Sequence, residues 1–221
     1  MKSGFSVKNI AVVGMFCAMS FDAVLLGKVI PNVAGFLSYD PKDAVVAIAG
    51  FLFGPLYSVI ISVLVSVLEL LSISGTGIIG CLMNVVSTVS FAAPAAFVYK
   101  KMRSYRGAVF GLTVGVCFMT ITMLLWNYAV TPIYMEVQRE VVAGMLLPVF
   151  LPFNAIKGGL NAALTLLLYK PLVITLRRAK LVPASQNEGE KKTIRFSFLW
   201  IALGLLIVFA VLFLYLVGVI G

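Results

Sequence analysis

The sequence has no histidine, and charged residues make up only 11% of its 221 positions. An average soluble domain is about 25% charged, so there is too little charge here to clothe a water-exposed surface. Disorder is excluded by the same shortage, because disordered chains combine high charge with low hydrophobicity, whereas 62% of this chain is hydrophobic and its mean hydropathy is +1.09. Without histidine the commonest general base and metal ligand is missing, and neither a Ser/His/Asp nor a Cys/His set can be assembled. The three cysteines, Cys17, Cys81 and Cys117, all lie in apolar runs. Their spacing matches no disulfide framework or metal site, and they read as small buried hydrophobes. A Walker A motif and a glycine-rich phosphate loop are also lacking, so the chain is read as a binder, with no metal, rather than as a catalyst or a self-powered pump.

What is present is a series of long apolar runs, continuous rather than alternating. Continuity disfavours a transmembrane β-barrel and points to an all-α integral membrane protein embedded in a lipid bilayer. The formal net charge of +9, from 17 Lys and Arg against 8 Asp and Glu, would indicate nucleic acid in a soluble protein. In a membrane protein, cytoplasmic loops collect Lys and Arg, and no nucleic-acid partner is expected.

The first apolar run covers about residues 10–27. Phe21-Asp22-Ala23-Val24 is a poor cleavage site and further spans follow, so this run is read as a span and not as a signal peptide. The run over residues 44–73 is broken by Gly54-Pro55, which marks either a kink or a junction between two helices, since proline in a helix interior removes a hydrogen bond. Further spans are expected at about 80–99, 107–126, 147–176 and 196–220. A junction puts 13 basic residues on one side (Lys2, Lys8, Lys100, Lys101, Arg103, Arg106, Lys170, Arg177, Arg178, Lys180, Lys191, Lys192 and Arg195), leaves only Lys28, Lys42 and Arg139 on the other, and sets Lys157 within a span. The positive-inside rule therefore favours the junction, with the N-terminus cytoplasmic. The second helix then runs only from about Asp43 to Phe53 and covers about half of a ~30 Å hydrocarbon core. Residues 31–41 must fill the remainder as irregular backbone, which is tolerated at depth only when buried in protein or lining a cavity. No internal repeat is evident, which leaves an inverted-repeat transporter unsupported.

Polar residues inside spans are costly and by default face the interior and act there. Asn154, Lys157 and Asn161 fall at i, i+3 and i+7, on one helix face. Lys157 is read as facing a ligand; the structural alternative is an ion pair with Asp40 or Glu69. Gly158-Gly159 is read as a site of close helix packing. In Gly35-Phe36-Leu37-Ser38-Tyr39-Asp40-Pro41-Lys42-Asp43, either aspartate can cap the short helix. Capping leaves Leu37 and Tyr39 unexplained, and apolar and aromatic groups with few polar ones are what a small-molecule pocket needs. Trp126-Asn127-Tyr128 is either an interfacial aromatic belt or a site where Asn127 bonds a planar ligand between aromatics. Asn84 reads more readily as an interhelical hydrogen bond. Glu69 and Asp22 are expected near span ends, in water. Glu136, Arg139 and Glu140 are expected on one exposed face of a short outer helix or loop.

These residues carry a resemblance. Leu37-Ser38-Tyr39-Asp40-Pro41-Lys42-Asp43 leading into Ala49-Gly50-Phe51-Leu52-Phe53-Gly54-Pro55, the short helix ending in Gly-Pro, Trp126-Asn127-Tyr128, and Pro152-Phe153-Asn154-Ala155-Ile156-Lys157-Gly158 together resemble the substrate-binding S components of energy-coupling factor (ECF) vitamin transporters, in particular the riboflavin-specific ones. The resemblance covers about residues 5–180. It implies a six-helix core, an outward-facing pocket closed by the loop between the first two spans, and capture of riboflavin, often also of FMN, as transported ligand rather than cofactor. It implies that Asn127, Asn154 and Lys157 bond the flavin, with Leu37, Tyr39 and Asp40 from the loop; Asn84, Tyr128 and Asn161 complete the candidate set. It also implies a transmembrane coupling subunit and two cytoplasmic ATPase subunits as partners, docked through small residues of the first span such as Gly14 and Ala18, although Met15 interrupts the pattern begun by Ala11.

The chain thus divides into a binding domain over 1–180, a polar cytoplasmic linker over 181–195 and an additional span over 196–221. That last span looks detachable and would put the C-terminus outside the cell membrane. The alternatives are an S component for FMN or another vitamin, or, in a different class, a small membrane enzyme or assembly subunit.

Overall fold

The computed structural model of the protein describes residues 7–179, 181–182 and 196–218. Most of the expected linker and both chain ends lie outside the described residues. Among those described there are eight α-helices: α1 (Val7–Gly27), α2 (Lys42–Phe53), α3 (Pro55–Ser72), α4 (Gly77–Met102), α5 (Tyr105–Met135), α6 (Arg139–Met145), α7 (Leu151–Arg178) and α8 (Phe196–Val217). Six segments are long and apolar enough to cross a membrane: α1, α3, α4, α5, α6 continuing into α7, and α8. The short α2 completes a six-helix core of α1 to α5 and α7, to which α8 is added.

Gly54-Pro55 is a junction, not a kink. Gly54 takes φ +106°, a conformation that L side chains rarely adopt, and its N–H closes α2 by donating to the Gly50 carbonyl at 2.8 Å. Pro55 then begins α3, where a missing N–H costs nothing. The chain turns back on itself here, and the N-terminus of α2 returns to the level of Glu69 in α3. Every residue of α2 from Lys42 to Phe51 is buried, because the helix is surrounded by α1, α3, α4 and α7. A 12-residue helix spans about 18 Å at ~1.5 Å per residue, and irregular chain over residues 28–41 takes up the remaining depth.

That irregular chain is satisfied internally, as backbone removed from water must be. Val33 and Leu37 exchange two hydrogen bonds of 2.9 and 3.0 Å around a tight turn. Helices α4 and α5 are longer than their apolar runs, at 26 and 31 residues. Ser104 caps α5 by accepting from the Gly107 N–H at 3.0 Å. The span expected from 147 begins as a π-helical turn over Leu146–Phe150 that feeds α7. The cysteines are free, but of the three expected to be buried only Cys17 is; Cys81 is half-buried and Cys117 is exposed on the outer side of α5.

The basic residues at the ends of α4 and α7 gather at one end of the bundle. Lys100 and Lys101 occupy the last turn of α4, and Arg177 and Arg178 that of α7. Below the level of Lys42 the bundle is filled by Phe51 stacked on Tyr99 at 4.3 Å, whose hydroxyl meets that of Tyr169 at 2.9 Å.

The crossing of α2 with α3 and α4 depends on Gly50. A Cβ there would overlap the Ser58 hydroxyl and lie 2.8 Å from the Ala96 Cβ. Gly50→Val should therefore destabilise the protein by about 1–3 kcal/mol through overpacking, read as a lowered midpoint of thermal unfolding in detergent.

Candidate ligand-binding site

A cavity opens at the end of the bundle opposite the basic residues. It holds about 940 Å³ of empty space, its open mouth included. The 28–41 loop contributes Lys28, Phe36, Leu37, Ser38, Tyr39 and Asp40; the α3–α4 connection contributes Ile73 to Thr76; and helices α3, α4, α5 and α7 contribute Glu69, Met83, Asn84, Ser87, Met123, Asn127, Phe153, Asn154 and Lys157.

Its floor is a network of buried charge. Lys42, 1% exposed, pairs with Asp40 at 2.7 Å and with Glu69, whose second oxygen accepts from the Asn84 amide at 2.8 Å. Asp43 accepts from the Thr88 hydroxyl at 2.6 Å, and its other oxygen lies 3.6 Å from the Lys157 ammonium. Lys157 donates to Ser87 at 3.4 Å. Both contacts of Lys157 are long, so its ammonium, with three hydrogens to give, keeps donor capacity toward the cavity. The physical reason for the network is dielectric: a lone charge removed from water costs several kcal/mol, and a close partner offsets that cost.

The walls carry amides whose internal bonds leave opposite groups free. The Asn127 carbonyl accepts from Thr131 at 3.0 Å, which leaves the amide hydrogens. Asn154 donates to the Phe150 carbonyl at 2.7 Å, which leaves its carbonyl oxygen.

Of the residues singled out from the sequence, Leu37, Tyr39, Asp40, Asn84, Asn127, Asn154 and Lys157 are brought together on the cavity wall. Two are not. Tyr128 follows Asn127 by one residue, about 100° around the helix, so it points outward, 44% exposed beneath the Arg139 guanidinium. Asn161 is fully buried behind the wall, where it accepts from the Tyr39 hydroxyl at 3.3 Å and donates to the Asp40 carbonyl at 3.1 Å. It ties the loop to α7. Gly14 and Ala18 sit on the exposed side of α1, and a Cβ at Gly14 would meet open space.

Three further expectations are corrected. Glu69 is buried rather than solvated, because the α2–α3 hairpin brings Lys42 beside it. Lys42 is for the same reason not a free outer cation. Lys157 finds Asp43 rather than Asp40 or Glu69. Asp40, and not Asp43, bonds the start of α2, accepting from the Lys42 N–H at 3.2 Å. Asn84 makes the interhelical bond expected of it while also facing the cavity. Glu136, Arg139 and Glu140 are exposed, with α6 beginning at Arg139. Sequence reasoning took Asp43 only as a possible helix cap and passed over Ser87, Met83 and Met123. The available signal was the shortness of α2, which forces its first charges to membrane depth.

A family model described as the substrate-specific component of ECF transporters matches residues 8–169. The riboflavin transporter FmnP of Bacillus subtilis (strain 168) is 31% identical over 167 residues, covering 69% of this chain and 85% of that protein. The riboflavin transporter RibU of Staphylococcus aureus (strain TCH60) is 29% identical over 177 residues, covering 77% and 93%. A solved structure of the S component of a bacterial ECF transporter matches with a TM-score of 0.65 at 28% identity, over 76% of this chain and 97% of that one.

Removing one partner from the floor network strands a buried charge. Lys42→Ala should cost about 3–5 kcal/mol of stability, measured by thermal or denaturant unfolding in detergent. Lys42→Met combined with Glu69→Leu should recover part of that loss.

Proposed function

The chain belongs to the substrate-specific components of ECF transporters, and we propose that its ligand is riboflavin, captured at the cavity end of the bundle for import. The single observation that carries this reading is the set of polar groups left free on the cavity wall. Asn127 keeps amide hydrogens, Asn154 keeps a carbonyl oxygen and Lys157 keeps ammonium hydrogens. Donor, acceptor and donor are the complement of a flavin imide edge, which offers two carbonyls flanking one N–H. Met83, Met123, Phe36 and Phe153 supply apolar and aromatic surface for a flat ring. Ser38, Ser74 and Thr76, in the loops around the opening, suit a polyhydroxyl chain. Two relatives named riboflavin transporters support the same ligand. Lys28 is an exposed cation on the cavity lining, and this favours FMN as the second reading.

The cavity faces the outside of the cell in this proposal, because Lys100, Lys101, Arg177 and Arg178 gather at the opposite end and basic residues mark the cytoplasmic side. The exposed small residues of α1 would receive a transmembrane coupling subunit, since small residues allow close helix approach, and separate ATPase subunits would supply the energy.

Riboflavin added to the purified protein should lose its fluorescence stoichiometrically; indifference to riboflavin would reject the ligand. Asn154→Ala and Lys157→Ala should each weaken binding by about 1–3 kcal/mol, the cost of an unpaired buried polar group. Unchanged dissociation constants in folded variants would remove those residues from the site. A cysteine placed at Arg103 should react with an impermeant maleimide only from the cytoplasmic side of inverted vesicles, and labelling of intact cells would invert the topology.

A further inference from the structure

Helix α8 lies beyond the family match, which ends at residue 169, and its sequence alone reads as a detachable lipid-facing span. Its packing is more specific than that. Only 11% of its most apolar window is buried, yet Ala202, Leu206, Phe209, Ala210, Phe213, Leu216 and Val217 form a single helical stripe of buried and half-buried positions. The stripe runs along α7. At Gly159 of α7 a Cβ would run into the Phe209 ring, lying 2.6 Å from one of its edge carbons. Glycine at this position is what lets the ring rest against the α7 backbone. One turn further on, Phe213 is 4% exposed, and its ring centroid lies 5.5 Å from that of Tyr39. Tyr39 lines the cavity, and its hydroxyl is held by Asn161. Phe213 belongs to the same apolar cluster as Val33 and Leu37 of the loop. Phe209, seated in the notch at Gly159, thus anchors α8 on α7, and Phe213 one turn on carries the helix to Tyr39 of the loop.

We propose that Phe213 is a positioning residue of the binding site, holding Tyr39 and with it the 28–41 loop over the cavity, so that α8 slows release of the bound ligand. The proposal rests on the reading of the cavity as a flavin site only for its choice of ligand. The contact is made on a loop that closes one wall, so its loss raises the dissociation rate and leaves association largely alone. A span that merely anchors the chain in lipid would leave both unchanged.

The test uses the full chain in detergent and follows riboflavin fluorescence in stopped flow. Phe213→Ala should raise the dissociation rate about 5- to 10-fold, the scale of one lost aromatic contact, with the association rate within about twofold. Phe213→Leu, which keeps an apolar side chain, should fall between parent and alanine variant, and it decides the matter if Phe213→Ala does not fold. Ile207→Ala, on the exposed side of α8, should release like the parent. Equal release rates for parent and Phe213 variants would overturn the proposal. A ligand-free readout separates it from the flavin reading. With Cys17, Cys81 and Cys117 replaced, a cysteine at buried Val33 should be alkylated faster when Phe213 is alanine or leucine. If the parent ignores riboflavin, the ligand assignment fails while alkylation still decides the role of Phe213; equal alkylation rates overturn it.

Discussion

Lys42 carries a charge at a depth where charge must be paired, and much of the cavity end follows from that requirement. In a low-dielectric interior an ammonium without partners costs several kcal/mol. Lys42 recruits Asp40 from the loop before it and Glu69 from the helix after it, so the pairing fixes the depth of the loop and the register of α2 against α3. Asn84 then satisfies the free oxygen of Glu69 and brings α4 into the same network. A second pair, Lys157 with Asp43, adds α7, and Thr88 braces Asp43 from α4. Helices distant in sequence are thereby held at one level, and that level is the floor of the cavity.

The floor, walls and loop divide the work by chemistry. Charge settles the floor, amides with one side engaged orient the walls, and aromatic contacts hold the loop. Phe36 meets Phe150 of the π-helical turn at 6.0 Å, and Tyr39 meets Phe213 at 5.5 Å. Asn161 fastens the Asp40 carbonyl from behind. A loop with only its own short turn would have little to keep it at membrane depth; contacts from α7 and α8 supply that hold. The opposite end of the bundle is filled by Phe51, Tyr99 and Tyr169, so the buried charges, Lys42, Asp43, Glu69 and Lys157, are concentrated toward the open end.

The two flanks of the bundle differ. Helix α1 packs on α2 and α3 and leaves Ala11, Gly14 and Ala18 uncovered, whereas α8 packs on α7. The added helix thus leaves the small-residue face of α1 free.

The all-helical membrane architecture was legible in the sequence, because continuous apolar runs and scarce charge have few other solutions in a bilayer. The Gly54-Pro55 junction was legible too, once the distribution of Lys and Arg was weighed, since backbone chemistry and charge asymmetry act locally and on whole loops. So was the inward face of Asn154 and Lys157, which helical period alone dictates. Pairing was not legible. Lys42 looked like an outer cation and Glu69 like a solvated acid, because their partnership depends on an α2–α3 hairpin that folds residues 27 positions apart to one depth. Asn161 shares a helical face with Lys157, yet Tyr39 covers it, and only packing across 122 residues decides that. Phe213 gave no signal within an unbroken apolar run, where every residue suits lipid equally; its role depends on the missing side chain at Gly159 and on the tertiary approach of α8 to the loop.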